Sequence, residues 1–186
     1  MTGTDVHNGA TVATTTDPAR QTWGTWVQAH RLATAFLAGL VATHIATIVG
    51  YFMPAIGLPK LDWNTANGAV YTPAASPLVQ FVTGGIFHYV DGIVFTLLYV
   101  VALHPRLPWR NTSRGNMAKA LTFGTILAVL SVAIMTPLVY APAMGGNAGF
   151  LSLNFGWIFV MAVFLWHWLY AIHLGVIYNP TSPGDR

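Results

Sequence analysis

The chain has 186 residues, 54% of them hydrophobic and only 7% charged, with a formal net charge of +3. Soluble domains carry about 25% charged residues, so 8 basic and 5 acidic side chains cannot supply a water-facing surface of this length, and the main solvent is expected to be lipid. Glu and Cys are absent, which excludes disulfides, zinc-thiolate and iron–sulfur ligation; the small positive charge is concentrated in one loop and argues topology, not nucleic-acid binding.

Residues 1–22 are Thr-rich and polar, without an apolar core of signal-peptide length, and are expected to remain attached as a flexible tail. "QTWGTWVQAHR" follows; it reads equally as a short amphipathic surface helix and as an extension of the first span. A membrane-crossing helix needs about 20 mainly apolar residues. Four runs satisfy this, at about 32–53, 78–103, 120–140 and 150–178, within a transmembrane domain over 23–180; residues 181–186 form a short C-terminal tail. Pro54, Pro77, Pro105, Pro142 and Pro180 lie at or just beyond the ends of these runs, where proline is compatible with helix termination. Pro137 falls inside the third run and is expected to kink its last turn.

The first span carries Gly39, Thr43, Ala46 and Gly50, a small-residue stripe for close helix contact; Gly39 and Gly50 are therefore interface positions, for packing within the chain or along a dimer seam. The loop between the first two spans is long and nearly uncharged, and its Trp63 is an interface anchor. The second span contains "GGIFHYVDGIVF". An aspartate at a helix centre costs about 2.5–3.5 kcal/mol on insertion scales, so Asp91 is the least expected residue in the chain. At 100° per residue, His88, Asp91 and Gly92 share one face, and that face is expected to point into the bundle. The loop after this span holds Arg106, Arg110, Arg114 and Lys119, whereas the other two loops have Lys60 or no base. Positive residues favour the cytoplasmic side. The expected fold class is thus an all-α, polytopic membrane protein, four transmembrane helices in an up-down bundle with both termini cytoplasmic, in the plasma (inner) membrane.

The fourth span, with "WHWLYAIHLG", brings His167 and several bulky aromatics; Trp166 among them is expected to face lipid, pigment or another subunit. Counting residues from the span ends places His44, His88, Asp91 and His167 within about 5–8 Å of one another along the membrane normal. Three uses fit such a level. His44, His88 and His167 are possible ligands of a haem b or a transition metal, with Asp91 and His88 as metal ligands; His and Asp are possible members of a proton or ion relay; or they fix helix register. The order of acid and histidine here is reversed relative to the membrane copper site of particulate methane and ammonia monooxygenases, so that site is not carried over.

Span two followed by "HPRLP", and span three ending "MTPLVY", resemble small uncharacterised four-helix bacterial membrane proteins over about residues 30–178. That resemblance implies a fold and no activity. The expected function is an integral subunit of a larger energy-converting or oxidative membrane complex, in contact with the lipid bilayer and other membrane subunits. The alternatives are a small transporter or proton-conducting protein using the same residues, and a purely structural bundle.

Overall fold

The computed structural model describes residues 22–181; residues 1–21 and 182–186, which make up most of the two expected tails, lie outside the described residues. The described chain is helical throughout its ordered elements: α1 (Trp23–Ala29), α2 (Arg31–Phe52), α3 (Trp63–Tyr71), α4 (Pro77–Leu98), α5 (Ser113–Leu130), the single turn α6 (Ala141–Ala143) and α7 (Trp157–Ile177). With the 3₁₀ and π turns that continue them, four stretches are long and apolar enough to cross a membrane: Arg31–Ile56, Pro77–Arg106, Ser113–Ala143 and Trp157–Ile177.

Small residues decide how these helices approach. The buried stripe of α2 includes Ala35, Ala38, Gly39, Ala42, Thr43, Ala46 and Gly50. A Cβ added at Gly39 would lie 2.8 Å from Ile93 Cα, and one at Gly50 2.8 Å from the Leu61 carbonyl oxygen. Both expected interface glycines therefore serve packing inside this chain. Helix α2 packs on α4 and α7, and α7 packs on α5, while α4 and α5 make no extensive contact with each other. The four spans thus form an incomplete ring, open between the second and third.

One end of the ring is tied by polar groups. Arg31 Nη2 donates to the Val100 carbonyl at 3.3 Å, within the π turn Tyr99–Leu103, and Arg31 Nε donates to Tyr178 OH at 3.3 Å. His104 Nε2 donates to Asn116 Oδ1 at 2.9 Å, and Asn116 Nδ2 donates to the Gly175 and Tyr178 carbonyls at 2.7 and 2.9 Å. Here α1 is a separate short helix, broken from α2 at His30 and tied to the end of α7 by Trp23 Nε1 donating to the Ile177 carbonyl at 2.9 Å.

At the other end, α3 lies across α4. Asp62 starts it by accepting from the Thr65 amide at 3.0 Å, and a Cβ added at Gly84 would fall 1.9 Å from the Asn64 carbonyl oxygen. This helix occupies part of the segment expected as a loop. Two span boundaries also differ from expectation. The third begins at Ser113, so Lys119 lies within the helix and reaches Asn111 Oδ1 at 2.9 Å, its stem covered and its amine directed to the helix end. The fourth begins at Trp157, because Leu151 (φ 51°) and Ser152 (φ 61°) are left-handed inside the 3₁₀ stretch Phe150–Phe155.

Candidate functional site

The gap between α4 and α5 is a cavity of about 310 Å³, predominantly apolar, with α2 and α7 behind it and α3 above. Residues at its mouth, including Phe95, Leu130 and Ile134, are exposed. In a bilayer such an opening meets acyl chains rather than water.

Three of the four polar residues expected at one depth converge on this cavity: His88 and Asp91 from α4, and His167 from α7. Their hydrogen bonds fix what each presents. The Thr47 hydroxyl donates to the Thr43 carbonyl at 2.7 Å, so its contact with His88 Nε2 at 3.0 Å uses the imidazole as donor. That leaves His88 Nδ1 as an acceptor. His167 Nδ1 donates to the Val163 carbonyl at 2.7 Å, which leaves Nε2 as an acceptor. Asp91 is half-buried, and among the described residues it makes no hydrogen bond and no ion pair, the single ion pair there being Lys60–Asp62 at 3.0 Å.

Two of the hydroxyls around the cavity are already committed, while the Thr43 hydroxyl is enclosed without a partner. Tyr170 OH donates to the Gly92 carbonyl at 2.8 Å and accepts from Thr96 Oγ1 at 2.5 Å, and Tyr140 OH donates to Asn67 Oδ1 at 3.2 Å. The Tyr170 contacts also hold α7 against α4 next to Asp91. The polar lining thus holds free acceptors in the two imidazoles and the Asp91 carboxylate, and unpartnered N–H or O–H groups on Trp63, Trp166 and Thr43. Outside the spans, the Tyr71 phenol, which lines the same cavity, is pushed above its ordinary value by burial and by the Asp91 carboxylate.

Aromatic rings make up much of the remaining wall. Trp63 lies 5.5 Å from Tyr140 and 6.0 Å from Trp166, centroid to centroid, and Trp166 is 5.6 Å from His88. Trp63, expected as a membrane-interface anchor, and Trp166, expected to face lipid, pigment or another subunit, are instead 8% and 6% exposed in the core of this chain. The Trp166 Nε1 atom is enclosed without a partner and lies against α2, where an added Cβ at Gly50 would be 3.1 Å away.

His44 does not join the cluster. It is exposed, its Nδ1 2.6 Å from Tyr89 OH. Thr43 faces α4 at Gly92, and the next residue is turned by 100°, which carries His44 out of the bundle. Depth was matched, since Tyr89 adjoins His88; azimuth was not. Among the described residues no group of three His, Cys, Asp or Glu is arranged to hold a metal ion, so the ligand set His44, His88 and His167 is not brought together, nor are Asp91 and His88 joined by a third ligand. His104 and His173 are likewise separate: His104 bonds Asn116, and His173 Nδ1 donates to the Leu169 carbonyl at 2.8 Å.

No family model, curated protein or solved structure matches the chain.

Proposed function

We propose that this chain is a small integral-membrane transporter, with both termini on the cytoplasmic side of the plasma membrane, that takes a lipophilic solute into the cleft between α4 and α5. The observation that carries this reading is the convergence of His88, Asp91 and His167 on one cavity that opens sideways between the second and third spans. Ionisable residues at membrane depth face cavities and mark solute or ion paths, and a mostly apolar pocket with a few convergent polar groups is the usual form of a small-molecule site. The cavity volume lies at the low end of such sites, which favours a solute the size of one ring with short substituents.

Flux in liposomes tests it. Asp91→Asn is expected to abolish solute flux. Ile134→Trp, which places a bulky ring at the exposed mouth without disturbing the core, is expected to reduce it strongly. Flux indifferent to both changes overturns the proposal.

A second reading, a cofactor-bearing subunit of an oxidative membrane complex, has support from the two imidazoles that share the cavity. It predicts a coloured protein whose Soret band is lost on His88→Ala or His167→Ala, and comigration with other subunits on native gels. A colourless protein that migrates alone counts against it.

A further inference from the structure

Among the described residues, Asp91 is an acid without a counter-charge. A carboxylate removed from water is strongly disfavoured unless something neutralises it. Among the described residues no base does so, the single ion pair there being Lys60–Asp62: Arg31 and Lys119 are engaged at the opposite end of the ring, and Arg106 donates to the Ala102 carbonyl. The titratable groups that share the cavity with Asp91 are Tyr71 from α3, His88 on α4, Tyr140 beyond α5, and His167 and Tyr170 from α7. From α2 the cavity receives Thr43, which does not titrate. Neither histidine lies within ion-pair distance of the carboxylate.

The rest of the lining favours the same kind of guest. His88 Nδ1 and His167 Nε2 are free acceptors, whereas the Tyr170 and Tyr140 hydroxyls are spent on Gly92 and Asn67. Rings of Trp63, Tyr71, Phe95, Tyr140, Trp166 and Tyr170 line the same cavity as the acid. Aromatic faces attract cations, more strongly where water is excluded. An anionic solute meets repulsion from the Asp91 carboxylate; a solute with a positive centre finds that carboxylate, acceptor nitrogens and ring faces.

We infer that the solute of the cleft is a lipophilic organic monocation, an amine or quaternary ammonium, which exchanges for a single proton on Asp91. This rests on the transporter reading and supplies its substrate class. The exchange balances: the carboxylic O–H of Asp91 breaks, the proton leaves to the medium, and the carboxylate so formed neutralises the incoming cation, with no redox partner involved. Because proton and cation compete for a single group, affinity for a permanently charged solute falls as the medium is acidified.

The test uses the full chain in nanodiscs, with empty nanodiscs as the background, and two probes of the same shape: benzyltrimethylammonium and neopentylbenzene, which has carbon in place of the nitrogen. Trp63 and Trp166 in the cavity wall report occupancy through their fluorescence. The inference expects the cation to bind and the hydrocarbon not to, a single proton released per cation in weakly buffered medium, and Asp91→Asn to weaken cation binding about 30-fold or more, with Asp91→Glu retaining it. Proton release is read on the unaltered protein, so the test stands even where a variant fails to fold. Equal binding of both probes without proton release keeps the cleft and overturns the cation; binding of neither, with the fluorescence unmoved, overturns the cleft as well.

Discussion

Ser152 Oγ donates to the Val132 carbonyl at 2.8 Å, and that carbonyl is the one Pro137 leaves without a donor. Residues Ser131–Tyr140 are wound as a π-helix, in which each carbonyl accepts from the amide five residues on; residue 137 has no N–H. Ser152 reaches the vacancy only because its backbone is left-handed, φ 61°, a conformation that costs a non-glycine residue roughly 1–2 kcal/mol. The expected result is that Ser152→Ala lowers stability by about 1–3 kcal/mol, the range for an unsatisfied buried acceptor. In a Pro137→Ala background, which restores an amide at 137, the same change is expected to cost less. Thermal unfolding of the four proteins in detergent measures the coupling, and additive losses would remove Pro137 from the account.

Asn116 is the residue through which the second, third and fourth spans are tied at one end. Its amide accepts from His104 and donates to the carbonyls of Gly175 and Tyr178, and it is 2% exposed. Asn116→Ala strips partners from three enclosed groups at once and is expected to destabilise the bundle by about 1–3 kcal/mol. Asn116→Asp keeps the His104 contact but sets an acceptor against two carbonyls, so it is expected to be no better than alanine. Melting temperatures of the three proteins check the order.

The four spans were legible because hydropathy and proline placement are one-dimensional properties. Depth was legible for the same reason, and the level shared by His88, Asp91 and His167 came from counting residues along helices. The face of His44 was not legible: it depends on which side of α2 meets α4, which the contact of Thr43 with Gly92 decides. Helix α3 was hidden in a loop that reads as long and nearly uncharged, although Asp62 ahead of Trp63, Asn64 and Thr65 is an N-cap signal. The run Phe150–Phe155 counts as span by hydropathy, which carries no record of the left-handed turn at Leu151 and Ser152. The closed contact of α3 with α4, which roofs the cavity, depends on two glycines far apart in sequence, Gly68 and Gly84.

Asp62 gives the α3 end a pH limit. Burial alone would raise its carboxyl, but the Thr65 amide, the Tyr51 hydroxyl and Lys60 outweigh that and hold it below its ordinary value of 3.8. A carboxyl depressed in the folded state contributes stability that is fully present above the ordinary value and is lost as pH falls through the lower folded one. Docking of α3 is therefore expected to be independent of pH through neutrality and to weaken in acid below 3.8. Asp62→Asn, which keeps a cap but not the charge, is expected to flatten that limb; hydrogen exchange of the α3 amides across the acid range reads it.

The roof of the cavity is expected to lift on Gly84→Ala. A Cβ there would sit 1.9 Å from the Asn64 carbonyl oxygen and 2.3 Å from the Gly68 amide nitrogen, and both belong to backbone that has no rotamer to yield. Helix α3 must then move off α4, taking Trp63, Asn67 and Tyr71 away from the cavity they line. The four spans owe their packing to other contacts, α2 with α4 and α7, and α7 with α5, so helical content by circular dichroism is expected to hold while Trp63 emission shifts to the red and solute flux falls. Gly146→Ala is the matched control, since an added Cβ there meets nothing nearer than 3.4 Å. Unchanged emission and flux in Gly84→Ala would mean that α3 is not the cover of the site.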